Sequence, residues 1–579
     1  MRGATIMSSY WMREGLPLVL VMYLVSCKFT KKSNKNILIL NKVFSLLPVL
    51  TPKSPKLGRA QPHYSAQTSC KSSYMKAYFI KICFHGMESS IEYLRGCTMF
   101  KDLQLIIEGF RPAFSHRAAY VYFVLILLGF ILRMDHYGVT STVRWLGLDA
   151  AVYDSLIHFF SQSQAWSLNG VMSHWLNWCS KAFPMVEVQD RIVLLGDNIK
   201  ISKEAVRQPG IVKMSQQSSN SGKPERVWGH NFGSVALLVG SEEKFFAVPC
   251  LTATHEGVNQ LLEVQQQEPV NNQTIVTRMI TLLAITASKL GHPAYAVVDA
   301  YFATSPAFIT ARKYCMETGQ PWVHLIIPAK RSYAAYPSKK KKKVDKIKLW
   351  SLFDSLELFT TIKHPVQQRP IQYYERVLFW PPAECFLRFV WIIDCQRCWV
   401  LMGSDLTLDP LEMIRLYPLR SKIEVMFKVM KHVIGAFSYH FWSPSCPKVC
   451  KKIGAKKGKG LISPDQYKKM LPTLRAIEAF VNFAGIVTGI LQYLALTYHQ
   501  QIWKWHKHSS WLRTYSSTIP SEEVVQRVIQ CHFFVLPHVK ELAWLRTMIK
   551  QTNEQKRIGR EVKRSRTLHP PDQAKKLTG

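Results

Sequence analysis

An alternation constrains this chain more than any other feature. Across residues 191–330, apolar runs of strand length (RIVLLGD, VWGHNFGSVALLV, KFFAVPCLT, AYAVVDAYF and PWVHLIIPAK) are interleaved with segments of helical spacing. Gly, Pro and Ser-rich polar pieces separate the runs, which is how strands are punctuated. One helix is expected over 271–290, where Ile275, Met279, Leu282 and Leu283 recur at helical intervals, and another in TSPAFITARKYC. Strands that alternate with helices require an α/β sheet whose centre is mostly buried.

The flanks read differently. Residues 1–98 keep no steady period, and Met75, Met87 and Met99 each offer a later start, so this region reads as irregular and as one the native protein need not include. Residues 99–186 are helical in pattern. Leu103, Ile106 and Ile107 share a face, and the uncharged run 118–132 has only 15 residues. That is short of the ~20 that cross a bilayer, so a buried core helix is expected. In GVTSTVRWLGLDAAVYDSLIHFF, Gly147 breaks the segment, Asp149 can cap the second half and Arg144 would face outward. This outlines a helix-turn-helix, which would let 99–186 bind DNA, although two amphipathic helices joined by a glycine are more often plain core.

Residues 187–440 make up the central domain, with a Lys-rich and strand-like insertion at about 332–390, after which strands resume at FVWIID and WVLMGSDL. Asp409 is placed to cap a helix with Pro410 in its first turn. A second helix is expected from about Pro418 to Ile434, stopping before Gly435. Residues 441–579 form a basic, helical C-terminal region: a basic loop, a long apolar helix over 474–498 and the tail KRIGREVKRSR.

Charge narrows the partners. Lys and Arg outnumber Asp and Glu 75 to 38, a surplus of 37 that repels itself unless the usual partner is a polyanion, nucleic acid before an anionic membrane surface. The 13 cysteines are odd in number and irregular in spacing, which suits reduced thiols in a cytosolic compartment rather than a disulfide framework. Cys395, Cys398, Cys446 and Cys450 have the spacing of a four-sulfur zinc site. The apolar runs FVWII and WVLM around the first two make buried structural thiols the better expectation. The apolar stretch 16–27 imitates a lipoprotein export signal, but Glu14 interrupts the basic region before it and Lys28, Lys31 and Lys32 come directly after. Export is therefore not expected, nor a membrane partner.

Three acids carry the candidate chemistry. Arg420, Glu424 and Lys431 are four and seven residues apart, which on a helix puts them on one face, with Tyr417 immediately before it because the residue preceding a proline is pushed out of helical geometry. A carboxylate flanked by cations and a phenol suits a metal-bound phosphate; it also suits a solvent-facing stripe of ion pairs. Asp197 ends the strand RIVLLG and Asp299 ends AYAVV, so both should sit at carboxyl edges of strands, where open α/β sheets put their sites. Hard cations such as Mg²⁺ take oxygen ligands, and two ions held by such acids can activate a water and stabilise a leaving oxygen.

Tyr417, Arg420, Glu424 and Lys431 match without a gap the Y-x2-R-x3-E-x6-K signature, and the chain resembles the DDE transposases of bacterial insertion sequences in the branch that carries it. GDNIKISKEA and VVDAYFA are similar to that family's first and second acid blocks, and the resemblance covers about residues 100–445. It implies an RNase H-like catalytic core with a strand-rich insertion between the second and third acids, flanked by mainly helical N- and C-terminal regions. Asp197, Asp299 and Glu424 would be the catalytic metal ligands for Mg²⁺, or Mn²⁺ in its place, and Tyr417, Arg420 and Lys431 would hold the DNA backbone. The implied partners are double-stranded DNA, as element ends and target, and a second copy in a homodimeric synaptic complex, in the cytoplasm at the nucleoid. A DNA-binding protein of transposase descent that no longer cuts is the alternative.

Overall fold

The computed structural model describes residues 98–215, 226–258, 273–340, 345–365, 367–395, 397–448, 463–509, 518–535 and 540–568. Residues 97–532 and 544–579 make up one unit, and it carries the whole of the main sheet. The stretch 16–27 and Cys450 lie outside the described residues.

Five helices come first: α1 (Thr98–Glu108), α2 (Arg117–Leu132), α3 (Val139–Trp145), α4 (Val152–Ser161) and α5 (Leu168–Ala182). Leu103, Ile106 and Ile107 of α1 are buried together, and α2 is buried along most of its length, as its unbroken apolar sequence requires. Gly147 takes a left-handed φ of 59° between α3 and α4, and Asp149 accepts from the Ala151 N–H at 2.9 Å. The expected turn is there, but α13 (Lys540–Leu568) bonds to it: Asn553 donates to the Gly147 carbonyl at 2.9 Å, and Arg560 pairs with Asp149.

The sheet begins with β1 (Glu187–Val188), β2 (Arg191–Ser202), β3 (Val212–Ser215), β4 (Arg226–Ser241) and β5 (Lys244–Thr254). Then come α6 (Ile275–Leu290), β6 (Ala294–Val298), α7 (Ser305–Lys313) and β7 (Val323–Pro328). β2, β4 and β5 are antiparallel neighbours, whereas β6 and β7 lie parallel to β2 on its other side. The order across this part is therefore β5-β4-β2-β6-β7. Its centre is apolar on both faces, with all five residues of β6 buried, because helices cover a parallel pair on both sides. Thr274 caps α6 through a reciprocal bond pair with Thr277, and Gly291 ends it in the left-handed region.

The insertion does not form a separate body. After a small pair, β8 (Ala334–Ala335) with β9 (Ile347–Lys348), the strands β10 (Thr360–Lys363), β11 (Pro370–Trp380), β12 (Cys385–Asp394) and β13 (Arg397–Gly403) make an antiparallel meander. β13 pairs with β7, so the same sheet runs on for four more strands. FVWIID and WVLMGSDL thus belong to the meander rather than to a resumed core, because β12 pairs with β11 along nine consecutive residues across a tight turn. Cys395 and Cys398 sit at the β12–β13 turn and are exposed, contrary to the expectation of buried thiols: the hairpin's apolar runs bury its middle and leave its tip in solvent. Cys446 is buried elsewhere, against Val258, Met470 and Leu474.

The chain closes through α8 (Pro410–Leu416), α9 (Ser421–Val429), α10 (Pro464–Thr497), α11 (His499–Ser509), α12 (Glu522–Val535) and α13. Among the described residues α10 is the one helix long and apolar enough to cross a membrane, yet 89% of its most apolar window is buried inside protein. It packs on β5 and on the N-terminal helices, with Phe480 set 4.9 Å from Phe130 and Phe483 set 5.0 Å from Phe123, ring centre to ring centre. Each such buried ring contributes roughly 1.5–3 kcal/mol.

α10 also solves the edge problem of β5. A strand edge exposes unpaired N–H and C=O groups. Here Asn482 accepts from the Thr252 N–H at 3.0 Å and donates to the Thr252 carbonyl at 2.8 Å. Glu478 accepts from the Thr254 N–H at 2.8 Å, Gln492 donates to the Ala247 carbonyl at 3.1 Å, and Trp175 of α5 donates to the Pro249 carbonyl at 2.8 Å. Pro249 has no N–H to satisfy, which an edge tolerates. Replacing Asn482 with Ala strands two buried backbone groups, and we expect urea denaturation to show a loss on the order of 2–4 kcal/mol with the slope unchanged; a loss below roughly 0.5 kcal/mol would mean the edge is otherwise satisfied.

Candidate active site

The first two acids meet through strand register. β2 and β6 run parallel with Gly196 opposite Val298, so the next positions, Asp197 and Asp299, are lateral neighbours on one face. Adjacent strands lie roughly 4.8 Å apart. Gly196 points the other way, toward α6, and is closely packed: a Cβ there would come 3.1 Å from Met279 Sδ and 3.1 Å from Val298 Cγ1, so those side chains would have to give by a few tenths of an ångström. The tight seating of α6 on one face thus leaves the acids on the other.

Asp299 directly follows β6, as expected, and its carboxylate accepts from the Tyr301 N–H at 2.6 Å, capping a short 3-10 turn. Asp197 differs. It does not end its strand, because β2 continues to Ser202 by pairing with β4, with Asp197 opposite Ser234. The loss of β6 as a neighbour beyond Val298 is what opens the carboxylate's side.

The third acid arrives on α9. Tyr417–Arg420 is a 3-10 turn that joins α8 to α9. Tyr417 has helical backbone angles, φ −59° and ψ −44°, so it is not pushed out before the helix; Pro418 sits in the first turn of the 3-10 segment, where its missing N–H costs nothing. Asp409 caps α8 by accepting from the Leu411 N–H at 2.9 Å. The helix beyond Val429 ends in a π turn, Met430–Ile434, and Gly435 takes φ 72°.

Arg420 is the hub. One guanidinium nitrogen reaches Asp197 Oδ2 at 3.1 Å and another reaches Glu424 Oε1 at 2.5 Å. Its side chain is 17% exposed and that of Asp197 19%, while Glu424 is 56% exposed, so the pair spans from the sheet to solvent. Burial pushes the Asp197 carboxyl up to about 6; the Asn198 N–H and Arg420 pull it down, and the negative charges of Asp299 and Glu424 push it up again. Burial likewise raises Tyr417, with Arg420 opposing and the charges of Asp299 and Glu424 adding to it. Five of the six residues singled out from sequence, Tyr417, Arg420, Asp197, Asp299 and Glu424, therefore sense one another.

Lys431 does not join them. It is exposed on the π turn, and no ion pair of Lys431 occurs among the described residues. Arg420, expected to face DNA, is instead turned onto the two carboxylates. Ser234, buried opposite Asp197 and bonded to Thr252 Oγ1 at 2.8 Å, was not singled out, because nothing in the sequence states the β2–β4 register.

Among the described residues no three Asp, Glu, His or Cys side chains converge closely enough to hold one ion, since the guanidinium lies between Asp197 and Glu424. The donor set nevertheless fits a hard divalent cation: it is all carboxylate oxygen, and the burial that disfavours the charged Asp197 carboxylate is a cost that such a cation would offset.

No family model matches the chain, and no curated protein matches it.

The raised Asp197 gives a signed pH dependence. A carboxyl whose folded pKa lies above its unfolded value favours folding while protonated, so its contribution is full below about 4 and lost as pH rises through about 6. Asp197→Asn removes that penalty. In EDTA, thermal and urea unfolding should show the variant more stable than the parent at pH 8, by up to about 3 kcal/mol, with the difference vanishing at pH 4. A variant less stable at pH 8 would mean that the Arg420 pairing outweighs burial.

Proposed function

We propose that the chain is a DNA strand-cleaving and strand-joining enzyme of the transposase type, with Asp197, Asp299 and Glu424 as its catalytic acids. The observation that carries this is the meeting of three acids spread over more than two hundred residues of sequence, two by parallel register and one through Arg420. The strand order β5-β4-β2-β6-β7, with the first three antiparallel and the last two parallel to β2, supports an RNase H-like core, and the meander after β7 supports an insertion between the second and third acids.

In this reading Asp197, Asp299 and Glu424 would hold divalent metal, Mg²⁺ or Mn²⁺, which would supply charge stabilisation for the attacking and leaving oxygens of phosphodiester exchange. The chain's own residues do the rest. Asp197 is about four-fifths covered opposite the buried Ser234, which limits its access to water, and its strand holds its position against Asp299. Glu424 is exposed on its helix, where a strand of DNA can reach it. Arg420 pairs with Asp197 and Glu424, and its planar guanidinium is also suited to gripping a phosphate in bidentate fashion beside them. Tyr417 and Lys431 flank that position along the helix, Tyr417 as a phenol donor and Lys431 as a solvent-facing cation. The basic surplus favours double-stranded DNA as substrate, with a second copy of the chain pairing the two ends.

This reading requires inverted repeats on either side of the reading frame, and such a repeat is the substrate for a direct test. In Mg²⁺, the parent should nick a labelled terminal repeat, and Asp197→Asn, Asp299→Asn and Glu424→Gln should each slow nicking by roughly 10³-fold or more while still binding the duplex. Equal cleavage by Glu424→Gln would remove that residue from the reaction, and a parent that binds but never nicks would leave a DNA-binding protein.

A further inference from the structure

Helix α9 has a second side. Opposite the carboxylates, Lys422, Val425, Met426, Val429 and Val433 recur at helical spacing and face a cleft of about 500 Å³ that β5 and α12 complete. Five Lys and Arg side chains line it against two Glu: Arg133, Lys244, Lys422, Lys428 and Arg527, with His432 beside them. Among the described residues Lys422 and Lys428 make no ion pair. Glu522 is turned to Gln492, which donates to it at 2.8 Å.

Arg133 is the unusual member. It is 2% exposed, and no carboxylate lies within ion-pair distance of it among the described residues. One nitrogen donates to the Ile434 and Gly435 carbonyls at 2.6 and 2.9 Å, another to the Gly138 carbonyl at 3.2 Å, and Nε has no partner. The guanidinium also lies 4.5 Å above the Phe130 ring centre. Gly435 makes room for this arrangement, since a Cβ there would come 2.7 Å from the guanidinium. Burial pulls Arg133 down to about 9 against the attraction of Asp135. A buried cation that lines a lysine-rich cleft and meets only carbonyls is stabilised by an anion that enters the cleft.

We propose that this cleft binds backbone phosphate of a nucleic-acid strand that continues from the Glu424 side of α9 around to Lys422 and Lys428. Lys428 is the link: it lines the cleft and stands one helical turn from Glu424, about 6 Å along the axis. Each DNA strand carries a phosphate for every ~3.4 Å of duplex axis, so a strand that reaches the carboxylates presents further phosphates to Lys428 within a few nucleotides. The proposal rests on DNA being the substrate of the carboxylate site, but not on cleavage there.

The test is binding, with no metal present. Full-length protein in EDTA is titrated against a fluorescently labelled duplex of arbitrary sequence at about 50–200 mM salt. Lys422→Glu with Lys428→Glu should weaken binding by roughly tenfold or more and flatten the logarithmic salt dependence by about two phosphates, while the control Lys468→Glu with Lys469→Glu on α10 should shift it by less than about threefold. Circular dichroism and unfolding midpoints matching the parent exclude a folding defect. Equal weakening by the control pair, or none by the cleft pair, overturns the proposal. So does a result in which adenosine triphosphate or inorganic phosphate binds the parent and not the cleft variant while duplex affinity is unchanged, because the anion is then a free one. Glu424→Gln separates the two readings: loss of nicking with intact duplex binding concerns the carboxylates alone, and loss of binding in the cleft pair concerns the cleft alone.

Discussion

The pairing of β2 with β6 is the constraint on which the other features depend. Two parallel strands in one register bring Asp197 and Asp299, which are 102 positions apart in number, to neighbouring positions without any help from their side chains. Like charges side by side are unfavourable, and burial adds to the cost. The chain meets it locally with the Asn198 N–H and with the Arg420 guanidinium, which also ties Glu424 to the sheet. Everything that fastens β2 and β6, from the close seating of α6 at Gly196 to the antiparallel partner β4, works against that repulsion.

Much of the scaffold was legible because apolar periodicity encodes it. The five runs in 191–330 are the five strands β2, β4, β5, β6 and β7, and the segments between them are α6 and α7. Helix α2 and helix α10 announced themselves by unbroken apolar composition. What periodicity cannot state is which strand pairs with which. The extension of β2 past Asp197 comes from its antiparallel neighbour, and the attachment of the meander through β13 to β7 is a contact across more than seventy residues.

The candidate site was legible in part for the same reason. Helical spacing does put Arg420 and Glu424 together, since four residues make one turn whatever the surroundings. It says nothing of orientation in the fold, so the sequence could not tell that Arg420 would turn inward to Asp197 while Lys431 stayed in solvent on a π turn. Nor did the rule that a residue before proline avoids helical angles hold at Tyr417, where two helical segments run together and tertiary packing overrides a local preference.

The arrangement of α10 bears on when the protein can fold during its synthesis. Strand β5 is finished by Thr254, yet its outer edge waits for Glu478, Asn482 and Gln492, and the phenylalanines of α2 wait for Phe480 and Phe483. More than two hundred further residues must leave the ribosome before those groups are covered, at roughly ten to forty seconds for ordinary elongation rates. Until then a long apolar helix and a bare strand edge are both available to the wrong neighbours. A truncated chain ending before Pro464 would keep them so, which makes the last fifth of the sequence a guard against aggregation as well as a part of the core.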